Sequence, residues 1–204
     1  MLKKIAISLG DINGIGIQIA LENHKKISKL CKPIYCINSS ILSNVLKKLN
    51  MKMPADFILS GSYSKINIHP GKVKKDSGKF SYDSFLHAIN LAKNNTVKAI
   101  CTLPINKESW SKANINYVGH TDMLRDIFKR NSIMMIGCKE MFVALYTEHI
   151  PLRNVTEKIT EKALVSFLID FVKAIDSKNQ PIAILGLNPH SGDNGVLGNE
   201  EFII

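Results

Sequence analysis

Apolar residues along this chain recur with two different periods. Short continuous runs, bounded by polar residues, read as buried strands: Ile5–Leu9, Pro33–Ile37, Val97–Leu103, Ile133–Ile136, Phe142–Tyr146 and Pro181–Leu187. Between them lie segments with helical spacing. Ile15–Ile27 offers Ile15, Ile19, Ala20 and Ile27 to one face, and Ile41–Leu49 follows Ser39 and Ser40 as candidate caps. Ser81–Lys93 aligns Phe85, Ala88, Ile89 and Ala92, and Asp122–Lys129 reads as a shorter helix. The clearest helix is Glu157–Ile175. There Ile159, Ala163, Leu164, Phe167, Leu168, Phe171, Val172 and Ile175 form one stripe, and Asn154 stands where a cap is needed, three residues before Glu157.

Strands alternating with helices predict an α/β fold built on a mainly parallel sheet with flanking helices. The stretch from Met51 to Lys79 breaks the pattern. It is rich in Gly, Pro and Ser and has room only for short edge strands. No repeat and no low-complexity segment interrupts the rest. The chain finishes on a glycine-rich loop followed by Glu200-Glu201-Phe202-Ile203-Ile204, with no closing helix. That apolar end predicts a fold incomplete at the C-terminus, with residues 1–204 forming the N-terminal and central portion of a larger protein.

Composition narrows the partners. The net charge is +10, but the excess is lysine, with Arg125, Arg130 and Arg153 the only arginines. The lysines are scattered in pairs such as Lys3-Lys4 and Lys47-Lys48, as on solvated helix flanks. No nucleic-acid-binding module accompanies them, so the charge points to an acidic or phosphorylated small substrate rather than nucleic acid. Cys31, Cys36, Cys101 and Cys138 lack metal or redox spacing and read as buried reduced thiols, which implies a reducing, cytoplasmic setting. The apolar start is broken by Asp11, and no run approaches the ~18 residues of a membrane helix.

Chemistry concentrates where strands end. In open α/β sheets, ligands bind outside the carboxyl ends of the strands. Gly10-Asp11-Ile12-Asn13-Gly14-Ile15-Gly16 joins a strand to a helix and allows close backbone approach; an ordinary junction needs the same residues. It is neither the dinucleotide fingerprint nor a P-loop. Thr102-Leu103-Pro104-Ile105-Asn106-Lys107 places a hydroxyl and an ammonium at another strand exit, where a structural turn is an equal reading. Gly119-His120-Thr121-Asp122 opens a helix, where His120, Thr121 and free N–H groups suit a phosphate and Thr121 also suits a cap. His149, in Glu148-His149-Ile150-Pro151-Leu152, and His190, in Asn188-Pro189-His190-Ser191-Gly192-Asp193, each follow a strand-like run. They look like metal ligands gathered by the fold, yet two protein ligands rarely make a good site. His24, His69 and His87 lack such settings and read as surface or partly buried residues.

Taken in order, these motifs resemble the 4-hydroxythreonine-4-phosphate dehydrogenase family of pyridoxal phosphate biosynthesis. The resemblance runs through Gly10-Asp11…Gly16, Thr102–Lys107, Gly119–Asp122, His149–Leu152 and Leu187–Asp193 with Gly195, Gly198 and Glu200-Glu201. Departures are small: Ile12 and Ile17 stand where the family favours proline, and Gln18 and Asp193 where it favours glutamate. The resemblance implies an isocitrate/isopropylmalate-dehydrogenase-like fold and a homodimer with a shared active site. It implies substrate binding by His120 and Thr121, and a divalent metal (zinc, with magnesium or cobalt as alternatives) on His149 and His190. The family's third metal histidine and most of its NAD or NADP pocket belong to a region beyond Ile204. The implied reaction is oxidation of 4-phosphooxy-L-threonine, then decarboxylation to 3-amino-2-oxopropyl phosphate. Two alternatives stay open: a paralogue acting on a threonate 4-phosphate, and an inactive truncated remnant.

Overall fold

The computed structural model describes residues 1–130, 132–138, 140–175 and 181–202, which fall into two compact units, Met1–Phe128 and Lys129–Ile204. Ile203 and Ile204, part of the apolar end noted above, lie outside the described residues.

The first unit is a parallel α/β layer structure. Its strands are β1 (Lys4–Ser8), β2 (Lys32–Tyr35), β3 (Ile58–Leu59) and β4 (Ala99–Thr102), in spatial order β3-β2-β1-β4 and all parallel. The chain steps outward from β1 to β3, then returns to β4 on the other side of β1. That reversal makes the β1/β4 boundary the topological switch point, the place where open α/β sheets generally bind ligands.

Five helices cover the sheet: α1 (Gly16–Leu30), α2 (Ser39–Leu49), α3 (Lys75–Lys93), α4 (Lys107–Lys112) and α5 (His120–Phe128). Side chains alternate across each strand, so Ile7 and Leu9 enter one core with Ile17, Ala20, Leu21, Ile41, Leu42 and Val45, while Ala6 packs with Ala88 and Val97 in another. A third cluster joins Phe85 and Ile89 of α3 to Trp110 of α4 and Met123 of α5. The contact between α3 and α4 is so close that a Cβ on Gly78 would stand 2.0 Å from the Ser109 carbonyl oxygen. Serines of α3 bond both ways: Ser84 Oγ ties the helix to the sheet side, donating to the Cys36 carbonyl (2.8 Å) and accepting from Leu9 N (3.0 Å), and Trp110 Nε1 donates to Ser81 Oγ across the α3–α4 seam.

The second unit carries an antiparallel hairpin, β5 (Met134–Gly137) with β6 (Phe142–Leu145), then a 3-10 turn at Leu152–Asn154, α6 (Val155–Lys158) and α7 (Glu161–Ile175). Tyr146 anchors the hairpin's exit by donating to the Lys158 carbonyl (2.6 Å) and meeting Phe167 edge-on at 5.2 Å. Among its described residues only Gly192 is buried.

Several sequence expectations need correction. The buried face of α1 is Ile17, Ala20, Leu21 and His24, whereas Ile15 and Ile19 are exposed. The helix starts against Leu9, where a Cβ on Gly16 would lie 2.8 Å from the Leu9 carbonyl oxygen, and this contact sets its rotation. Asn38, not Ser39 or Ser40, caps α2 through its side chain to Ile41 N (3.1 Å). The α3 helix begins six residues earlier than periodicity indicated, because Ser77 and Gly78 face the core with no apolar signal. The helix expected from Glu157 is split. Thr160 caps α7 through Ala163 N (3.3 Å), and Asn154 makes no side-chain cap bond.

The run Pro181–Leu187 forms no strand, since no described neighbour pairs with its backbone, and Ile184 and Leu185 are exposed. The runs Val97–Leu103 and Phe142–Tyr146 do form strands, β4 and β6, but neither strand has a buried residue: β4, at the edge of its sheet, is largely exposed, and β6, which pairs only with β5 among the described residues, is exposed to half-buried. Only Cys36 of the four cysteines is buried, its thiol pushed up to about 12 by that burial. Cys31 is half-buried, and Cys101, on edge strand β4, and Cys138, in the hairpin turn, are exposed.

His24 is the largest surprise in the core. It is 2% exposed, with Nδ1 2.9 Å from Tyr35 Oη and Nε2 2.9 Å from Asp56 Oδ1. Its ring packs against Tyr35 and Phe57, which stack at 3.7 Å. It therefore ties α1 to β2 and to the segment before β3. His24→Ala should cost about 3 kcal/mol in a urea unfolding titration, from the lost ring and an orphaned Tyr35 hydroxyl. Asp56→Asn, at an exposed partner, should cost far less.

Candidate functional site

The exits of β1 and β4 meet at the switch point. Gly10 has a left-handed backbone (φ +63°), and a Cβ there would stand 2.1 Å from the Pro104 carbonyl oxygen. Asp11 N donates to that same oxygen at 2.9 Å. The next residues fold on themselves, with Asn13 N donating to Asp11 Oδ1 (3.0 Å) and Gly14 N to the Asp11 carbonyl (2.9 Å).

Asn13, 3% exposed, then captures a distant turn. Its Nδ2 donates to the Lys72 carbonyl (2.8 Å), its Oδ1 accepts from His69 N (2.8 Å), and its carbonyl accepts from Gly71 N (2.8 Å). The exposed His69–Lys72 turn is thereby held beside the strand exits. Sequence reasoning placed Asn13 inside a motif but assigned it no role. Its partners are more than fifty residues away, in a stretch without periodicity.

The second motif continues from β4 into α4. Asn106 caps that helix through Ser109 N (2.8 Å), which leaves Lys107 exposed at its first position. The Lys107 stem reaches the Gly119 position, 4.0 Å from where a Cβ would stand there. The third motif is thus adjacent to the second. Gly119 precedes α5, whose first residues are His120 and Thr121, both half-buried. Thr121 lies within the helix rather than at its cap, while Asp122 Oδ2 accepts from Val118 N (3.2 Å).

His120 sits in an aromatic notch. Its ring meets Phe85 at 4.5 Å and Trp110 at 6.0 Å, both edge-on. Desolvation there holds the imidazole below the usual histidine value. Its Nε2 is buried with no hydrogen-bond partner among the described residues, a cost without internal return and the kind of orphan found at functional sites. The neighbourhood therefore offers a neutral imidazole, a hydroxyl, an ammonium and a helix start within one short stretch, a set suited to an oxyanion.

The two remaining histidines lie in the second unit. His149 follows β6 in the left-handed region (φ 53°), and His190 lies in a left-handed turn (φ 55°); both are exposed. Neither follows a buried strand, contrary to expectation, because β6 has no buried residue and Pro181–Leu187 is not a strand. Imidazoles fit a zinc-type ion in donor chemistry. Among the described residues, however, no three His, Cys, Asp or Glu side chains come together as a metal-holding group, so the pair fits in kind but not in number.

The parallel sheet, its switch point and the helix start at His120 define the class, an α/β protein of the isocitrate-dehydrogenase-like kind. The family model for pyridoxal phosphate biosynthetic protein PdxA matches residues 29–204, and the chain belongs to that family. The 4-hydroxythreonine-4-phosphate dehydrogenase of Sulfurimonas denitrificans is 52% identical over 201 residues, covering 98% of this chain and 65% of the relative. The enzyme of that name from Campylobacter fetus is 50% identical over 200 residues, covering 98% of this chain and 64% of the relative. The chain thus spans less than two thirds of the length of either relative. A crystal structure of a 4-hydroxythreonine-4-phosphate dehydrogenase from Burkholderia phymatum superposes with a TM-score of 0.86 at 23% identity, over 98% of this chain and 67% of that one, and shows the shared fold.

The folded state takes up the His120 proton less readily than the unfolded chain. The residue's contribution to stability is therefore full above the ordinary histidine value of about 6.5 and lost as pH falls below it. NMR titration should find the His120 midpoint below that value, and His120→Gln should flatten the fall in stability between roughly pH 7 and 5.

Proposed function

We propose that the whole protein is an NAD- or NADP-dependent dehydrogenase that oxidises 4-phosphooxy-L-threonine, with loss of carbon dioxide to give 3-amino-2-oxopropyl phosphate for pyridoxal 5'-phosphate synthesis. The observation that carries this reading is the 52% identity, across nearly the entire chain, to a relative bearing that dehydrogenase name. The site chemistry agrees with it.

His120 and Thr121 bind the substrate in this reading, and Lys107 beside Gly119 adds positive potential for its phosphate. Because burial keeps His120 neutral, it hydrogen-bonds without adding a charge of its own. Anchoring the phosphate fixes the rest of the substrate in one orientation, which converts part of the entropic barrier into binding. His149 and His190 would hold a divalent ion, zinc by preference of imidazole donors, with magnesium or cobalt as alternatives. Such an ion supplies Lewis acidity at the substrate hydroxyl and at the developing carbonyl. The nicotinamide cofactor supplies the hydride acceptor. We assign no described residue to its pocket.

A homodimer with a shared active site and a cytoplasmic location complete the reading. No helix among the described residues is long and apolar enough to cross a membrane.

The test is nicotinamide reduction by the full-length protein, followed at 340 nm. Turnover should be at least about tenfold higher with 4-phosphooxy-L-threonine than with threonate 4-phosphate, the scale of one lost polar contact. The reverse preference would make the protein the paralogue, and no reduction with either would sink the dehydrogenase reading. Inactivity of residues 1–204 beside an active longer chain would make the shorter one a remnant. His120→Ala should raise KM by roughly ten- to a hundredfold, as expected for losing a hydrogen bond to a charged group.

A further inference from the structure

Lysines scattered along the sequence are gathered by the fold at the amino end of the parallel sheet. Lys4 of β1 is the register partner of Lys32 of β2. The Lys32 amide donates to the Lys3 carbonyl (2.9 Å) and the Lys98 amide to the Lys4 carbonyl (2.9 Å). Adjacent strands lie about 5 Å apart, so the starts of three of them bring Lys3, Lys4, Lys32 and Lys98 to one pole. Lys29 and Lys93 join from the last turns of α1 and α3, which run back to this end. All six are exposed, and residues 1–5, 25–33 and 93–99 contain no acidic residue.

Two features set this pole apart from an ordinary solvated surface. The carboxyl end of a helix attracts cations, which accounts for Lys29 and Lys93 but not for the four lysines at the strand starts. None of the six has a carboxylate partner among the described residues, so their mutual repulsion is uncompensated there. Apolar side chains also stand among them. Leu2, next to Lys3, is 53% exposed, and Leu30, between Lys29 and Lys32, is 81% exposed. The junction of Gly10 with Pro104 lies at the other end of the same strands, so the pole is separate from the candidate site.

We propose that the amino end of the sheet is a docking surface for an anionic lipid bilayer. Charge complementarity selects an anionic partner, and the residue types select lipid. Lysines are held in the negative potential of such a surface as point charges, while Leu2 and Leu30 enter the headgroup layer between them. These segments contain no arginine for a paired contact to a nucleic-acid phosphate and no aromatic ring on which a base could stack. Lysine is also depleted from stable protein–protein interfaces. Docked in this way, the unit keeps its strand exits turned from the bilayer.

Co-sedimentation of the full-length protein with vesicles tests this. Binding to phosphatidylcholine vesicles containing about one third phosphatidylglycerol should be at least about tenfold tighter than to phosphatidylcholine alone, and should weaken as salt is raised. Lys3→Glu with Lys98→Glu should weaken binding to the anionic vesicles by about tenfold or more. The same charge change near the strand exits, Lys72→Glu with Lys74→Glu, should weaken it by less than about threefold. Leu30→Ser should cost about threefold or more. Equal binding to both kinds of vesicle overturns the proposal. So does an equal loss in the two charge-reversed pairs, which would make the attraction a matter of net charge alone. If single-stranded RNA at the same phosphate concentration strips the protein from the vesicles, and Leu30→Ser binds that RNA and the vesicles as the parent does, the surface serves nucleic acid and the lipid reading fails. Should Lys3→Glu with Lys98→Glu not fold, Lys3→Gln with Lys98→Gln should still weaken vesicle binding by about threefold or more, and unchanged binding overturns the proposal.

Discussion

The close approach of two strand exits governs the first unit. Because Gly10 carries no side chain and takes a left-handed turn, the Pro104 carbonyl sits against it and accepts from Asp11 N. That contact lets β1 end beside β4, starts α1 against Leu9, and brings Asn13 to where it can seize the His69–Lys72 turn. Any larger residue at position 10 would meet backbone rather than a yielding side chain, so neither neighbour could give way cheaply. The meeting of the two strand exits is therefore a consequence of one backbone contact, and the helix start at His120 lies one short helix further along the chain.

The two units contrast in how their polar groups are held. In the first, several buried polar side chains are paired: His24 with Tyr35 and Asp56, Ser84 with Cys36 and Leu9, and Asn13 with the His69 amide and the Lys72 carbonyl, while Ser8 Oγ and His120 Nε2 have no partner among the described residues. The pairing helps a sheet of four short strands carry helices on both faces, because a paired buried donor recovers the bond it loses to water. In the second unit, apolar surface on β5, β6 and α7 remains in contact with solvent, and the tightest structure is the polar knot around Asn188. There carboxylate hydrogen bonds, rather than a hydrophobic core, join the two ends of the segment from Asn188 to Glu201. Both metal-candidate histidines project from left-handed backbone, a conformation the surrounding structure must enforce.

Much of this was legible from local pattern. Periodicity found α2, α5 and the strands of the parallel sheet except β3, since each buries one face or runs apolar between turn residues. It failed where burial is polar. The first turn of α3 is hidden by Ser77 and Gly78, α4 is too short and polar to show a stripe, and His24 looks like any lysine-flanked histidine. The apolar run Pro181–Leu187 misled for the opposite reason: hydrophobicity marks a segment fit for a strand, but a strand exists only where a neighbour completes its ladder. The site divides the same way. The glycine, Thr102–Lys107 and His120 motifs were visible because they carry unusual residues at element boundaries. Their adjacency was not, since Lys107 and Gly119 are joined by the path of the chain around Trp110.

The sequence by itself determined the fold class and the family, because periods, turn residues and ordered motifs are local properties of the chain. Only the tertiary structure decided which face of α1 is buried, that Asn13 binds a turn far along the chain, that His120 is desolvated by Phe85 and Trp110, and that Glu200 and Glu201 close on Asn188. These depend on distances between residues remote in sequence, and such distances follow from packing and chain path rather than from pattern.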